Sequence, residues 1–145
     1  MKGNLNNMKT KISSRILLSL GLMFVLGSAI TQVDGDELPL VTIHSTGDVS
    51  RGKTGSFVLD MKPAIAFGGM YVNFKVSGTA IPGVDYVALV SPAYVGPSGY
   101  GVISVATLPD PRAFNRQAYS VVVTLEPGLG YAIAQPSSAQ MWIKP

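Results

Sequence analysis

Side-chain chemistry needs a base, a nucleophile or a cluster of ligands held together, and this chain of 145 residues offers few such groups. His44 is its single histidine, flanked by Ile43 and Ser45 in an apolar–polar run. A triad requires histidine, nucleophile and acid in arranged roles. Asp48 and several serines are present, but no Gly-x-Ser-x-Gly elbow or other context singles out a nucleophile. His44 is therefore expected to be a partly exposed strand residue. There is no cysteine, which excludes disulfides, thiolate catalysis and cysteine-ligated zinc. Glycoside chemistry needs two carboxyls flanking a cleft, yet the acids are scattered, and Asp34, Asp36 and Glu37 fall in a polar stretch before the first strand. Gly68-Gly69 lacks the helix and basic residue of a phosphate loop. Tyr71, Tyr94, Tyr100, Phe114, Tyr119, Tyr131 and Trp142 could line a binding face. Spread over several strands, most read as core or cross-strand pairs, and Tyr71 is the one the pattern points outward. The chain is expected to be non-enzymatic, with no catalytic, cofactor-binding or metal-binding residues.

The elements that would position these side chains are strands. Met70, Val72, Phe74 and Val76 alternate with Tyr71, Asn73, Lys75 and Ser77, a period of two that separates a core face from a solvent face. Phe57, Leu59 and Met61 alternate in the same way, as do Tyr119, Val121, Val123 and Leu125. Val122 makes the outer face of that last run less polar. Leu40 to Ser45, Tyr86 to Val90, Val102 to Leu108 and Ala139 to Ile143 complete a set of seven. In the run from Val102, the expected inward set is Ile103, Val105 and Thr107. Gly47-Asp48, Pro82-Gly83, Gly96-Pro97-Ser98-Gly99 and Pro127-Gly128 punctuate them. Short strands divided by such turns predict an all-β, seven-stranded antiparallel sandwich. No stretch from Pro39 onward sustains a helical period, and the ten prolines would interrupt helices.

The amino-terminal residues read as a targeting segment. Lys2, Lys9, Lys11 and Arg15 precede the run Ile16 to Leu26, and Gly27-Ser28-Ala29 supplies small residues after it. Basic head, short apolar middle and small-residue exit make a secretory signal peptide. The run is shorter than the about 20 residues of a spanning helix, so cleavage after Ala29 is expected, with retention as an anchor as the alternative. Met8 is a plausible start. The organisation expected is a signal peptide over 1–29, a polar tether over 30–38 and a sandwich domain over 39–145. Four of the 11 cations precede Ala29 and none of the 8 acids does. The exported part thus carries 7 cations and 8 anions, a net charge of −1, and nucleic acid is not an expected partner.

The stretch Val72-Asn73-Phe74-Lys75-Val76-Ser77-Gly78-Thr79-Ala80-Ile81-Pro82-Gly83-Val84-Asp85-Tyr86 resembles the signature of Calx-beta domains. There a strand runs into Asp-Gly-Thr-Ala, then two variable residues, Gly, one variable residue and Asp-Tyr. Val49-Ser50-Arg51-Gly52 is similar to the family's opening turn, and the likeness extends from Leu40 to Ile143. The resemblance implies an immunoglobulin-like sandwich. Gly78 and Gly83 suit positive φ. Thr79 and Asp85 suit loop-closing side-chain bonds, so a structural role is expected for Asp85.

Familiar members of the family bind Ca²⁺ through acids from several loops, and calcium needs six to eight oxygens. Carried onto this chain, the opening glutamate is Arg51 and the aspartate before Gly-Thr-Ala is Ser77. The Asp-Asp-Asp run is Pro109-Asp110-Pro111, and two further glutamates are Phe114 and Gln117. Arg51 is expected near Asp110, neutralising it. The resemblance thus implies a sandwich with most calcium ligands lost, no cofactor, and an adhesion-type or structural role. Its partner would be an envelope or extracellular protein met in the periplasm or at the cell surface. The alternative is a calcium-responsive adhesion or sensor domain that completes its metal site with a partner.

Overall fold

Among the described residues, the alternation is realised as ten strands. The computed structural model describes residues 37–64, 68–109, 112 and 115–145. The expected signal peptide and nearly all of the tether lie outside the described residues. Leu38–Pro145 is one compact unit, and among its described residues there is no α-helix. The strands are β1 (Leu40–Ser45), β2 (Val49–Ser50), β3 (Thr54–Lys62), β4 (Met70–Val72), β5 (Phe74–Ser77), β6 (Ala93–Val95), β7 (Tyr100–Ala106), β8 (Tyr119–Leu125), β9 (Ala132–Ile133) and β10 (Ser138–Lys144).

They form two sheets packed as a sandwich. The six-stranded sheet runs β4-β6-β7-β3-β1-β9 and the four-stranded sheet β2-β10-β8-β5. Most pairings are antiparallel, but β1 with β9 and β10 with β2 are parallel, against the all-antiparallel expectation. The cause of the second is a crossing: after Ser45 the chain leaves the six-stranded sheet and pairs two residues, Val49 and Ser50, with Ile143 and Lys144 of the other.

The inward sets are those the alternation marks. Phe57, Leu59 and Met61 from β3, Ile103 and Val105 from β7, and Tyr119, Val121, Val123 and Leu125 from β8 are all buried. Thr107 is buried just beyond β7. Val41 and Ile43 of β1 and Met141 and Ile143 of β10 close the same core. Each fully buried aliphatic or aromatic side chain contributes about 1.5–3 kcal/mol relative to exposure.

Three further expectations are corrected. The run Met70 to Ser77 is two strands, because the chain changes sheet at Asn73. The Tyr131 hydroxyl accepts the Asn73 N–H at 3.0 Å and donates to the Glu126 carbonyl at 2.5 Å. The peptide freed by the change of sheet thus keeps a partner, while Val72 and Phe74 both still point inward. The run Tyr86 to Val90 makes only isolated bridges at Tyr86, and the next strand is β6 at Ala93–Val95. Ser120, which the alternation of Tyr119, Val121, Val123 and Leu125 puts on the outer face, is buried because the Gly78–Ala80 turn lies on it.

Candidate functional site

Among the described residues, a dense polar constellation sits where three turns meet at one end of the sandwich. The turn after β2 supplies Arg51. The loop between β7 and β8 supplies Arg112, and the Ile81-Pro82-Gly83-Val84-Asp85 turn supplies Asp85. That last turn is wound tightly. Val84 N–H and Asp85 N–H both donate to the Ile81 carbonyl, at 3.1 and 2.8 Å, and Gly83 takes φ of 84°, the left-handed region that glycine enters without a Cβ penalty. The winding turns the Asp85 carboxylate back over its own start. One oxygen, Oδ2, accepts the Ile81 N–H at 2.7 Å.

The carboxylate is then clasped from both sides. Arg51 Nη2 donates to Oδ1 at 2.8 Å, and Arg112 Nη2 donates to Oδ2. Asp85 has no exposed side-chain surface, and Arg51 is 8% exposed. Both guanidiniums lie over the Tyr119 ring, Arg112 at 3.8 Å from its centroid and Arg51 at 5.6 Å. Such cation–π contacts strengthen as water is excluded. Burial by itself raises the Asp85 carboxyl, but the Ile81 N–H and the two arginines outweigh it and hold the group below the ordinary carboxylate range. Tyr86, buried beside it, is pushed up, first by desolvation and then by the Asp85 charge.

The surrounding bonds anchor the cluster to both sheets. Thr107 Oγ1 donates to the Lys53 carbonyl at 2.5 Å, and Leu108 N–H to the Asp85 carbonyl at 2.9 Å. Thr79 and Ser120 exchange bonds, the Ser120 N–H to Thr79 Oγ1 at 2.8 Å and the Thr79 N–H to Ser120 Oγ at 3.1 Å. Gly78 has φ of 113°, and a Cβ there would run into the Ser120 carbonyl. Chemically, the arrangement is a buried anion neutralised by fixed cations, with hydroxyls spent on turn closure.

The structure brings together Arg51 and Asp85, residues the sequence singled out separately. Asp110 and Phe114 lie outside the described residues, so the expected Arg51–Asp110 approach falls there too. The described carboxylate against Arg51 is Asp85. Ser77 ends β5 exposed, and Gln117 Oε1 accepts from the Tyr119 hydroxyl at 3.5 Å. Among the described residues, no three histidine, aspartate or glutamate side chains gather as a metal site. Arg112 was missed by sequence reasoning. Its spacing from Asp85 carries no motif, and the one available signal was a cation within the loop that approaches Arg51.

Elsewhere, His44 stands exposed on the outer face of the six-stranded sheet with Nδ1 3.4 Å from Asp60 Oδ2. Among the described residues no hydroxyl hydrogen-bonds the imidazole, so the pair lacks a nucleophile. Asp48 is held below its usual range by Lys144 and by the Trp142 N–H, a strand-end clasp between the β1–β2 turn and β10. Of the aromatic set, Tyr119 and Tyr131 are buried. Tyr71, Tyr94, Tyr100 and Trp142 are exposed.

No protein-family model matches the chain, and no curated protein matches it in sequence. Among solved structures the fold is similar to CBD12 from CALX1.2, with a TM-score of 0.53 and 14% identity over 71% of this chain. The match spans 44% of that longer chain. The CARDB domain of PF1109 from Pyrococcus furiosus also aligns, with 16% identity over 74% of this chain and 95% of that one, at a TM-score of 0.44. At these identities the likeness is one of fold.

Proposed function

We propose that the chain is an exported, non-enzymatic module of Calx-beta type, with a structural or adhesion-type role, that closes its loop end with arginine in place of calcium. The observation that carries this reading is the Arg51–Asp85–Arg112 clasp. In the Calx-beta resemblance the opening turn brings a glutamate to the metal. Here the same turn brings a guanidinium, which saturates one oxygen of a fully buried carboxylate. A cation supplied by the chain removes both the room and the charge that a divalent ion would use.

The module's work then falls to its surfaces. Among the described residues, no helix is long and apolar enough to cross a membrane. The four-stranded sheet turns Trp142, Gln140, Lys75 and the half-buried Val122 outward. Tryptophan is enriched among residues that dominate protein interfaces, which suits an envelope or extracellular protein as partner. Crosslinking from position 142 in the native envelope tests the reading. The expected outcome is one protein adduct that is lost when Val122 is replaced by lysine. Uniform background at position 142, with a strictly monomeric protein, contradicts it.

A further inference from the structure

The other sheet carries a different surface. On its outer side the register aligns Tyr71 with Tyr94, Val102 with Val58, and Val58 with His44. A neighbouring row aligns Tyr100 with Asp60 and Asp60 with Thr42. The tyrosines at 71, 94 and 100 are each at least half exposed. They stand on β4, β6 and β7, successive strands of the sheet, and strands repeat every ~4.8 Å, a step comparable with the length of one hexose unit.

The ring orientations are built rather than loose. Tyr71 and Tyr94 meet at 5.3 Å between centroids with planes inclined at 57°. A Cβ at Gly69 would strike the Tyr94 ring at its Cζ and Oη, so the absence of a side chain at residue 69 lets that ring lie across the strand. The platform also runs into a cleft. A cavity of ≈ 350 Å³ opens between the segment leading into β6 and the outer side of β7, lined by Leu89, Val90, Pro92, Tyr94, Val102 and Ser104. Its volume falls in the range of small-ligand sites. Tyr94 and Val102 belong to both platform and cleft. Residues 87–92 join no strand, so that wall offers peptide groups outside any sheet ladder.

Ionic polymers find no field here. Asp60 and Lys62 oppose one another in sign, with His44 beside Asp60. What the face offers is exposed aromatic surface, its Tyr71 and Tyr94 rings inclined to one another, with hydrogen-bonding groups at its margin: the Asp60 carboxylate, the Thr42 and Ser104 hydroxyls and the tyrosine hydroxyls. A pyranose ring has the matching character, with an apolar C–H face and hydroxyls around its rim. The edge strand β4 is only three residues long, too short to template an added peptide strand as the main contact.

We propose that this face binds a neutral carbohydrate chain, with sugar rings stacked on Tyr71, Tyr94 and Tyr100 and one unit lodged in the adjoining cleft. This goes beyond the protein contact assigned to the four-stranded sheet, and either can fail alone. The test is calorimetric titration of the protein with cellohexaose, laminarihexaose and N-acetylchitohexaose. At least one should bind, and Tyr71→Ala and Tyr100→Ala should each weaken it about tenfold, the equivalent of 1.4 kcal/mol. Trp142→Ala, on the opposite sheet, should leave the affinity unchanged. A cooperative thermal melt and an unchanged far-UV spectrum for each tyrosine variant distinguish lost binding from lost folding. Absence of binding by all three at about 5 mM, beyond the millimolar end of specific affinity, overturns the proposal. So does affinity that survives Tyr71→Ala and Tyr100→Ala combined in one protein, or concentration-dependent self-association that the tyrosine variants abolish, which would make a second copy the occupant.

Discussion

Replacing Asp85 by Asn tests the clasp most sharply, because it removes one charge and almost no volume. The amide oxygen can still accept the Ile81 N–H, so the turn keeps its 2.7 Å bond. What is lost is the anion between two guanidiniums, one of them 8% and the other 25% exposed. Breaking a buried pair by removing one partner costs about 3–5 kcal/mol where the charge left behind is buried and unpaired. Since the backbone bond survives, Arg112 retains some solvent and both arginines keep other interactions, the low end is the upper bound here, about 3 kcal/mol. At roughly 4 °C per kcal/mol for a domain of this size, the midpoint should fall by no more than about 12 °C.

Urea denaturation of the two proteins measures the gap, and its pH dependence has a fixed sign. The native Asp85 carboxyl lies below its ordinary value. Its stabilisation is therefore complete above the unfolded pKa of about 3.9 and is lost only as pH falls through the lower native value. The gap between wild type and Asp85→Asn should hold level from pH 7 to 5. A loss under about 1 kcal/mol, the scale of an exposed pair, refutes the reasoning. A gap that already narrows between pH 7 and 5 refutes it equally, since the carboxyl would then titrate above its ordinary value.

Other parts of the fold give further outcomes. Tyr131→Phe leaves the Asn73 N–H without its acceptor where the chain changes sheet, and should cost about 1–3 kcal/mol in chemical denaturation. Phe57→Ala, at a fully buried position, should cost about 3–5 kcal/mol by the same measurement. Gly78→Ala should destabilise by more than the about 1 kcal/mol of an ordinary glycine replacement, read by thermal melting, because both φ and the Ser120 carbonyl oppose a side chain. His44→Ala, at an exposed site, should change stability by no more than about 0.5 kcal/mol and should leave behaviour on a panel of ester and glycoside substrates unaltered.

How much of this was legible in the sequence follows the range of the interactions. Period-two alternation is local, so the bounds of β1 and β8 and the inward set of β3 could be read directly. The break at Asn73 could not. It depends on a hydroxyl 58 residues away, and the apolar pattern continues through it because both sheets face one core. The run Tyr86 to Val90 has strand composition, yet beyond Tyr86 its residues form no ladder. Val87 binds the Ala106 carbonyl, and Ser91 Oγ reaches back to accept the Phe74 N–H. At the loop end, turn chemistry marked Asp85 as structural, and substitution of an acid marked Arg51 as a cation out of place. That the two meet across 34 residues is a property of how three turns converge. No spacing rule contains it.

The central claim is that fixed arginines, and not calcium, complete the loop end. Calorimetric titration of the protein with CaCl₂ after chelator treatment, paired with melting curves with and without the ion, tests it most directly. A ligand that binds only the folded state raises its stability by about 2.7 kcal/mol at a hundred times its dissociation constant. The account predicts no heat of binding and superimposable melts. Saturable micromolar binding, with a midpoint that climbs with calcium concentration, would contradict it.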